Sequence, residues 1–230
     1  MPGAGRLACC WPLPPTRSGR GRQLLGANGG LWPARAATYD RKSTKFMTRI
    51  FLTLALLSNC TLTTALILGL GIGDPHRFDA RIQHAVGVHF IVGVAALVFA
   101  VMVHALVLTY FMGTGRWLEE TAQAYRLPGD SSGANRNLKW KVLPAMLLSL
   151  ILLISTGAFG AAADPASSVG FQGLAGLSAA TVHWLVAGVT LAVNLAVNAL
   201  EFVALSRNKA LIDAVLAEVR RIRVERGLPV

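Results

Sequence analysis

Two histidines stand in closely similar apolar surroundings. HFIVGVAALVFAVMVHAL begins at His89 and HWLVAGVTLAVNLAVNAL at His183, and a constant offset of 94 residues aligns the stretches without a gap: His on His, Val92 on Val186, Leu97 on Leu191, Val103 on Val197. At about 100° per residue, Gly93, Ala96 and Ala100 share the helical face of His89, and Ala187, Thr190, Asn194 and Glu201 that of His183. Small residues beneath paired imidazoles leave space. Two chemistries use such a pair. The rings can be opposed axial ligands of a b-type haem, with the small residues making room for the macrocycle. They can also simply hydrogen-bond across a close helix interface, where Gly, Ala and Thr are enriched in membranes.

A second polar group follows. His104 lies at the depth of Asn198, with Asn194 one turn before and Glu201 one turn after on the aligned stretch. Ionisable groups within a membrane span suggest a proton path, a quinone head-group site or a metal site. Against these stands an interhelical hydrogen-bond cluster with Glu201 at the wet edge of the bilayer. One imidazole and one carboxylate make a poor metal ligand set, since amides bind weakly.

The elements that carry these residues are legible from charge. Residues 50–73, 82–115, 142–163 and 165–200 contain no Asp, Glu, Lys or Arg, in a chain that is 53% hydrophobic. A helix of roughly 20 apolar residues crosses a bilayer, so the pattern predicts an all-α integral membrane four-helix bundle with spans near 50–73, 83–113, 142–163 and 179–205. DPASSVGFQGLAGLSAA is rich in Gly, Ser and Pro and reads as a loop, which places the start of the last helix near Ala179. Arg77 and Arg81 are the only basic residues in the connection after the first span, and the connection after the third span has none. Both termini are therefore expected in the cytoplasm, with the chain multi-pass in the cell inner membrane. The formal charge of +11 is then a matter of topology and of attraction to anionic lipid, and calls for no nucleic acid.

Residues 1–46 differ in kind from 47–230. MPGAGRLACCWPLPPTRSGRGRQLLGANGG has no hydrophobic period, and Pro12, Pro14 and Pro15 oppose the amphipathic helix of an organellar presequence. The segment reads as a disordered extension or a mis-assigned start, with MTRIFLTLALL at Met47 as the alternative beginning. Cys9 and Cys10 fall in it. Cys60 lies within the first span as a small apolar side chain, and its LLSNC context is a poor lipoprotein site.

Beyond the aligned histidines, Asp74 and Pro75 end the first span as Asp164 and Pro165 end the third. Together these predict two repeated transmembrane hairpins related by a pseudo-twofold axis along the membrane normal. The arrangement resembles a reduced form of the membrane-bound b-type cytochromes, whose four-helix cores carry two histidines per helix on the second and fourth spans. That resemblance implies haem b on His89 and His183, with His104 starting a second pair. Its partner position holds Asn198, which argues against a second bis-histidine haem. The TYFMGTGRW and AAADP segments, and most of the chain after Met47, are similar to uncharacterised four-span bacterial membrane proteins, a likeness that implies no activity.

The basic segments continue the plan. Trp117, Thr121 and Tyr125 recur at helical spacing after the second span, and Leu211, Val215, Val219 and Ile222 after the fourth. Short cytoplasmic amphipathic helices are expected there, one over about 208–226, packing together, on the membrane, or on a protein partner or second copy. No Ser/His/Asp arrangement, CxxC or phosphate loop is present. GLGIG at Gly69–Gly73 ends a span with no strand before it. The function expected is a haem b-binding or redox-complex membrane subunit, with a non-catalytic scaffold or assembly protein as the alternative; whether it is an enzyme stays open.

Overall fold

A computed structural model describes residues 44–73 and 79–229. The proposed 1–46 extension (save the start of the first helix), Cys9 and Cys10, and the Asp74–Pro75 ending lie outside the described residues. The elements are α1 (Thr44–Leu70), α2 (Ala80–Tyr125), α3 (Ser131–Ala163), β1 (Gly173–Leu174), β2 (Leu177–Ser178) and α4 (Ala179–Glu225). All four helices are long and apolar enough to cross a membrane. The chain is an all-α, four-helix integral membrane protein.

Each helix packs on its sequence neighbour, α4 closes the ring on α1, and α2 touches α4 across the diagonal. Apolar residues cover the perimeter, Leu56, Ile91, Ile151 and Ile154 among them, as expected where lipid replaces water. Lipid is as apolar as leucine, so burial between these helices gains little from the hydrophobic effect; close packing and buried polar pairs must hold the bundle together. The interior is accordingly divided. Phe51, Val107, Phe111, Met146 and Leu205 form an apolar cluster toward the end where the basic residues gather, and Leu62, Ala65, Ala96, Ala100 and Leu153 form a second one nearer the other end.

Helix ends follow local chemistry. The Asp79 carboxylate accepts from the Arg81 N–H at 2.7 Å, and Ser178 Oγ from the Thr181 N–H at 3.2 Å, each satisfying an orphan donor of a first turn. Asp130 accepts from the Gly133 N–H at 2.7 Å. That bond, with a second from the Ser132 hydroxyl, holds the Asp130 carboxyl below the usual aspartate range. Pro165 prevents α3 from continuing past Asp164. In the loop, β1 and β2 pair antiparallel with Gly173 opposite Ser178. Their two-residue turn places Ala175 at φ 51° and Gly176 at φ 79°, the left-handed pair that a tight hairpin demands.

The segments assigned from sequence to short cytoplasmic helices are helical, but they are continuous with α2 and α4, which run 46 and 47 residues. Gly113 and Gly115 do not break α2. A Cβ at Gly115 would stand 2.6 Å from Asn135 Oδ1, so that glycine serves close approach of α3 and not a turn. The extensions do pack on each other: an Arg223 guanidinium N–H donates to the Tyr125 hydroxyl at 3.2 Å. Leu118, outside the expected Trp117–Thr121–Tyr125 stripe, is the residue fully buried there.

Candidate functional site

At the β-hairpin end, α2 and α4 bring His89 and His183 face to edge, with ring centroids 6.1 Å apart and planes at 75°. His89 Nδ1 lies 3.0 Å from the Ala65 carbonyl oxygen. A carbonyl only accepts, so Nδ1 carries the hydrogen, and in a neutral ring the lone pair is then on Nε2. His183 lies against the Thr156 backbone in the corresponding way, although its buried Nδ1 falls short of a hydrogen bond of ordinary geometry. Neither Nε2 has a hydrogen-bond partner among the described residues.

One turn beyond each of these backbone contacts is a glycine against the imidazole. A Cβ at Gly69 would meet His89 Cε1 at 2.8 Å, and one at Gly160 would meet His183 Cε1 at 2.9 Å. Around the two rings is a cleft of about 260 Å³ whose walls include Gly93, Gly157 and Ala187. Phe90 and Trp184 line it from the perimeter of the bundle. Below it the Thr156 and Thr190 hydroxyls lie 2.7 Å apart, joining α3 to α4.

Nearer the basic end, His104 is fully buried among four helices. Its Nδ1 lies 2.6 Å from Glu201 Oε1; its Nε2 lies 3.0 Å from both Ser149 Oγ and Asn194 Oδ1. Asn194 in turn donates from Nδ2 to Asn59 Oδ1 at 2.9 Å. The expected cluster of His104, Asn194 and Glu201 is therefore assembled. Glu201 is not at a wet edge, since its exposure is 0%. Asn198 is buried, yet neither of its amide atoms has a partner.

Chain comparison gives no match. No family model, curated protein or solved structure matches this chain. Among the described residues no three or more His, Cys, Asp or Glu side chains gather as a metal-ion site.

Sequence reasoning missed the partners on α1 and α3, Asn59 and Ser149. Their signal was weak: a polar residue in a long apolar run. It also missed a clasp at the basic end, where Asn135 Nδ2 donates to Asn208 Oδ1 at 2.7 Å and Asn208 Nδ2 to Thr114 Oγ1 at 3.0 Å.

Proposed function

We propose that this chain is a haem b-binding membrane subunit of a redox complex, with His89 and His183 as the axial ligands. The observation that carries the reading is the pair itself: two rings from different helices, facing across a small-residue cleft with both Nε2 atoms unengaged. The two ring centroids are 6.1 Å apart, and His89 and His183 would hold the haem iron through their imidazole nitrogens. A backbone carbonyl orienting Nδ1–H, as Ala65 does for His89, is the usual outer support of a ligating histidine. Two histidines without a third ligand suit a metal that brings its own equatorial nitrogens. When bound, haem supplies one-electron transfer. The cleft, about 260 Å³, is smaller than the about 300–1,000 Å³ typical of ligand pockets, and its mouth at Phe90 and Trp184 would let a flat apolar ligand extend into lipid.

Two similar hairpins accompany this reading. Phe51, Ala55, Ser58 and Leu62 on α1 are buried, and so are Val142, Met146, Ser149 and Leu153 at one constant offset on α3. Ala96, Ala100, Val103 and Phe111 on α2 match Thr190, Asn194, Val197 and Leu205 on α4 in the same way. Residues equivalent under the offset of 94 also meet each other, His89 with His183 and Thr114 with Asn208, which supports a pseudo-twofold axis between α2 and α4. The distribution of basic residues favours the cell inner membrane with termini cytoplasmic. The extensions of α2 and α4 offer a surface for a redox partner or a second copy.

A reduced-minus-oxidised visible spectrum of protein purified from haem-replete cells tests the proposal. An alpha band is expected, lost in His89→Ala and in His183→Ala. Its absence from the wild type leaves the scaffold reading, in which the histidines only join helices.

A further inference from the structure

The polar group around His104 fixes its own hydrogens. The Ala55 carbonyl can only accept, so Asn59 Nδ2, 2.7 Å away, donates to it. Asn59 Oδ1 is thereby left to accept from Asn194 Nδ2. Asn194 Oδ1 must then face His104 Nε2, and because an amide oxygen only accepts, Nε2 carries a hydrogen. Ser149 Oγ, 3.3 Å from the same oxygen, donates into its second lone pair. The chain of amides leaves one tautomeric freedom, on the far side of the ring.

On that side Nδ1 and Glu201 Oε1 are 2.6 Å apart, with both side chains fully buried. We propose that this pair is a proton-binding site that holds one proton between Nδ1 and Oε1. Whether drawn as imidazolium with carboxylate or as imidazole with carboxylic acid, the pair is neutral. Removing the proton sets a lone pair against a carboxylate; adding another leaves a net cation. Either is costly without water. The bundle's other buried polar side chains offer no compensating charge: Ser58 and Asn59 from α1, Ser149 from α3, and Asn194 and Asn198 from α4 are among them and all neutral, and Glu201 is the only acid buried within the bundle among the described residues. Glu201 Oε2 has no partner, so a full carboxylate charge there is poorly stabilised and sharing the proton is favoured. The proposal is independent of any cofactor at the hairpin end.

Nitrogen NMR of ¹⁵N-histidine-labelled protein in nanodiscs tests it, with the His104 signals assigned by their loss in His104→Gln. At neutral pH the His104 Nε2 signal should be that of an N–H, and Nδ1 intermediate between bare and protonated. In Glu201→Gln, which is neutral and nearly isosteric, Nδ1 should become bare while Nε2 keeps its hydrogen. A bare Nε2 in either protein, or a bare Nδ1 in the wild type, overturns the proposal. If the variant does not fold, the wild-type spectrum decides alone.

Discussion

Gly160 lies against the His183 ring, since a Cβ there would be 2.9 Å from Cε1. Gly160→Ala should therefore push the imidazole out of line and cost about 1–3 kcal/mol, as overpacking does. Gly69→Ala should do the same to His89. Gly188→Ala is the control, because a Cβ there meets nothing within 4 Å, and its midpoint in a detergent unfolding series should not fall. A fall equal to that of Gly160→Ala, against the gain in helix propensity that alanine brings, would mean that room for the imidazole is not what these glycines provide.

His89→Ala and His183→Ala should be non-additive. Removing either ring already dissolves the pair, so the double variant should differ from the sum of the single losses by at least about 0.5 kcal/mol. Additive losses in unfolding and in bound haem would show that the rings are not partners.

His104→Ala and Glu201→Gln should separate widely in stability. The first leaves a buried carboxyl facing a cavity and is expected to cost about 3–5 kcal/mol. The second keeps a neutral partner at Nδ1 and should cost well under half as much. Equal losses in urea or thermal unfolding would argue against a neutral resting pair.

Asp130 should make the start of α3 sensitive to acid. Its folded-state pKa is lowered by the Gly133 N–H and then by Ser132. The stabilisation it gives is therefore complete above its unfolded pKa and disappears as pH falls through the folded one. Protection of the Gly133 amide against hydrogen exchange, relative to the free-chain rate at each pH, should fall in that acid window. Asp130→Asn, which retains an acceptor, should remove the dependence.

Ser168 is in the loop between α3 and the β-hairpin. A cysteine there should react with membrane-impermeant maleimide from the periplasmic side in cells, whereas one at Arg136 should react only after the cytoplasmic face is opened. Labelling of position 168 from the cytoplasmic side alone would reverse the orientation.

The four spans and the start of α4 at Ala179 were legible because lipid imposes one rule along a whole helix: no charge for about 20 residues. The histidine pair was legible because two imidazoles recur in one apolar frame. The continuity of α2 through Gly113 and Gly115 was not, since a glycine required by Asn135 on another helix looks the same in sequence as a glycine that ends one. Asn59 and Ser149 were missed for a related reason. Their roles exist only where α1 and α3 meet His104 and Asn194, and spacing within a single helix does not reveal which polar residue looks inward. The burial of Glu201 was missed because it depends on its meeting His104 on α2, which charge counting along α4 does not reveal.

Leu62, Ala65, Ala96, Ala100 and Leu153 are packed between the two histidine sites. Fifteen residues separate His89 from His104, about 22 Å along a helix, and the polar groups at the level of this layer are the Thr156 and Thr190 hydroxyls. The layer is a window to fields. With an effective dielectric constant near 20, a unit charge arriving at one end shifts the energy of a unit charge at the other by about 0.8 kcal/mol, roughly half a pH unit. The two ends of this bundle are thus within electrical reach of each other, and the work one does on the other has a definite sign and size.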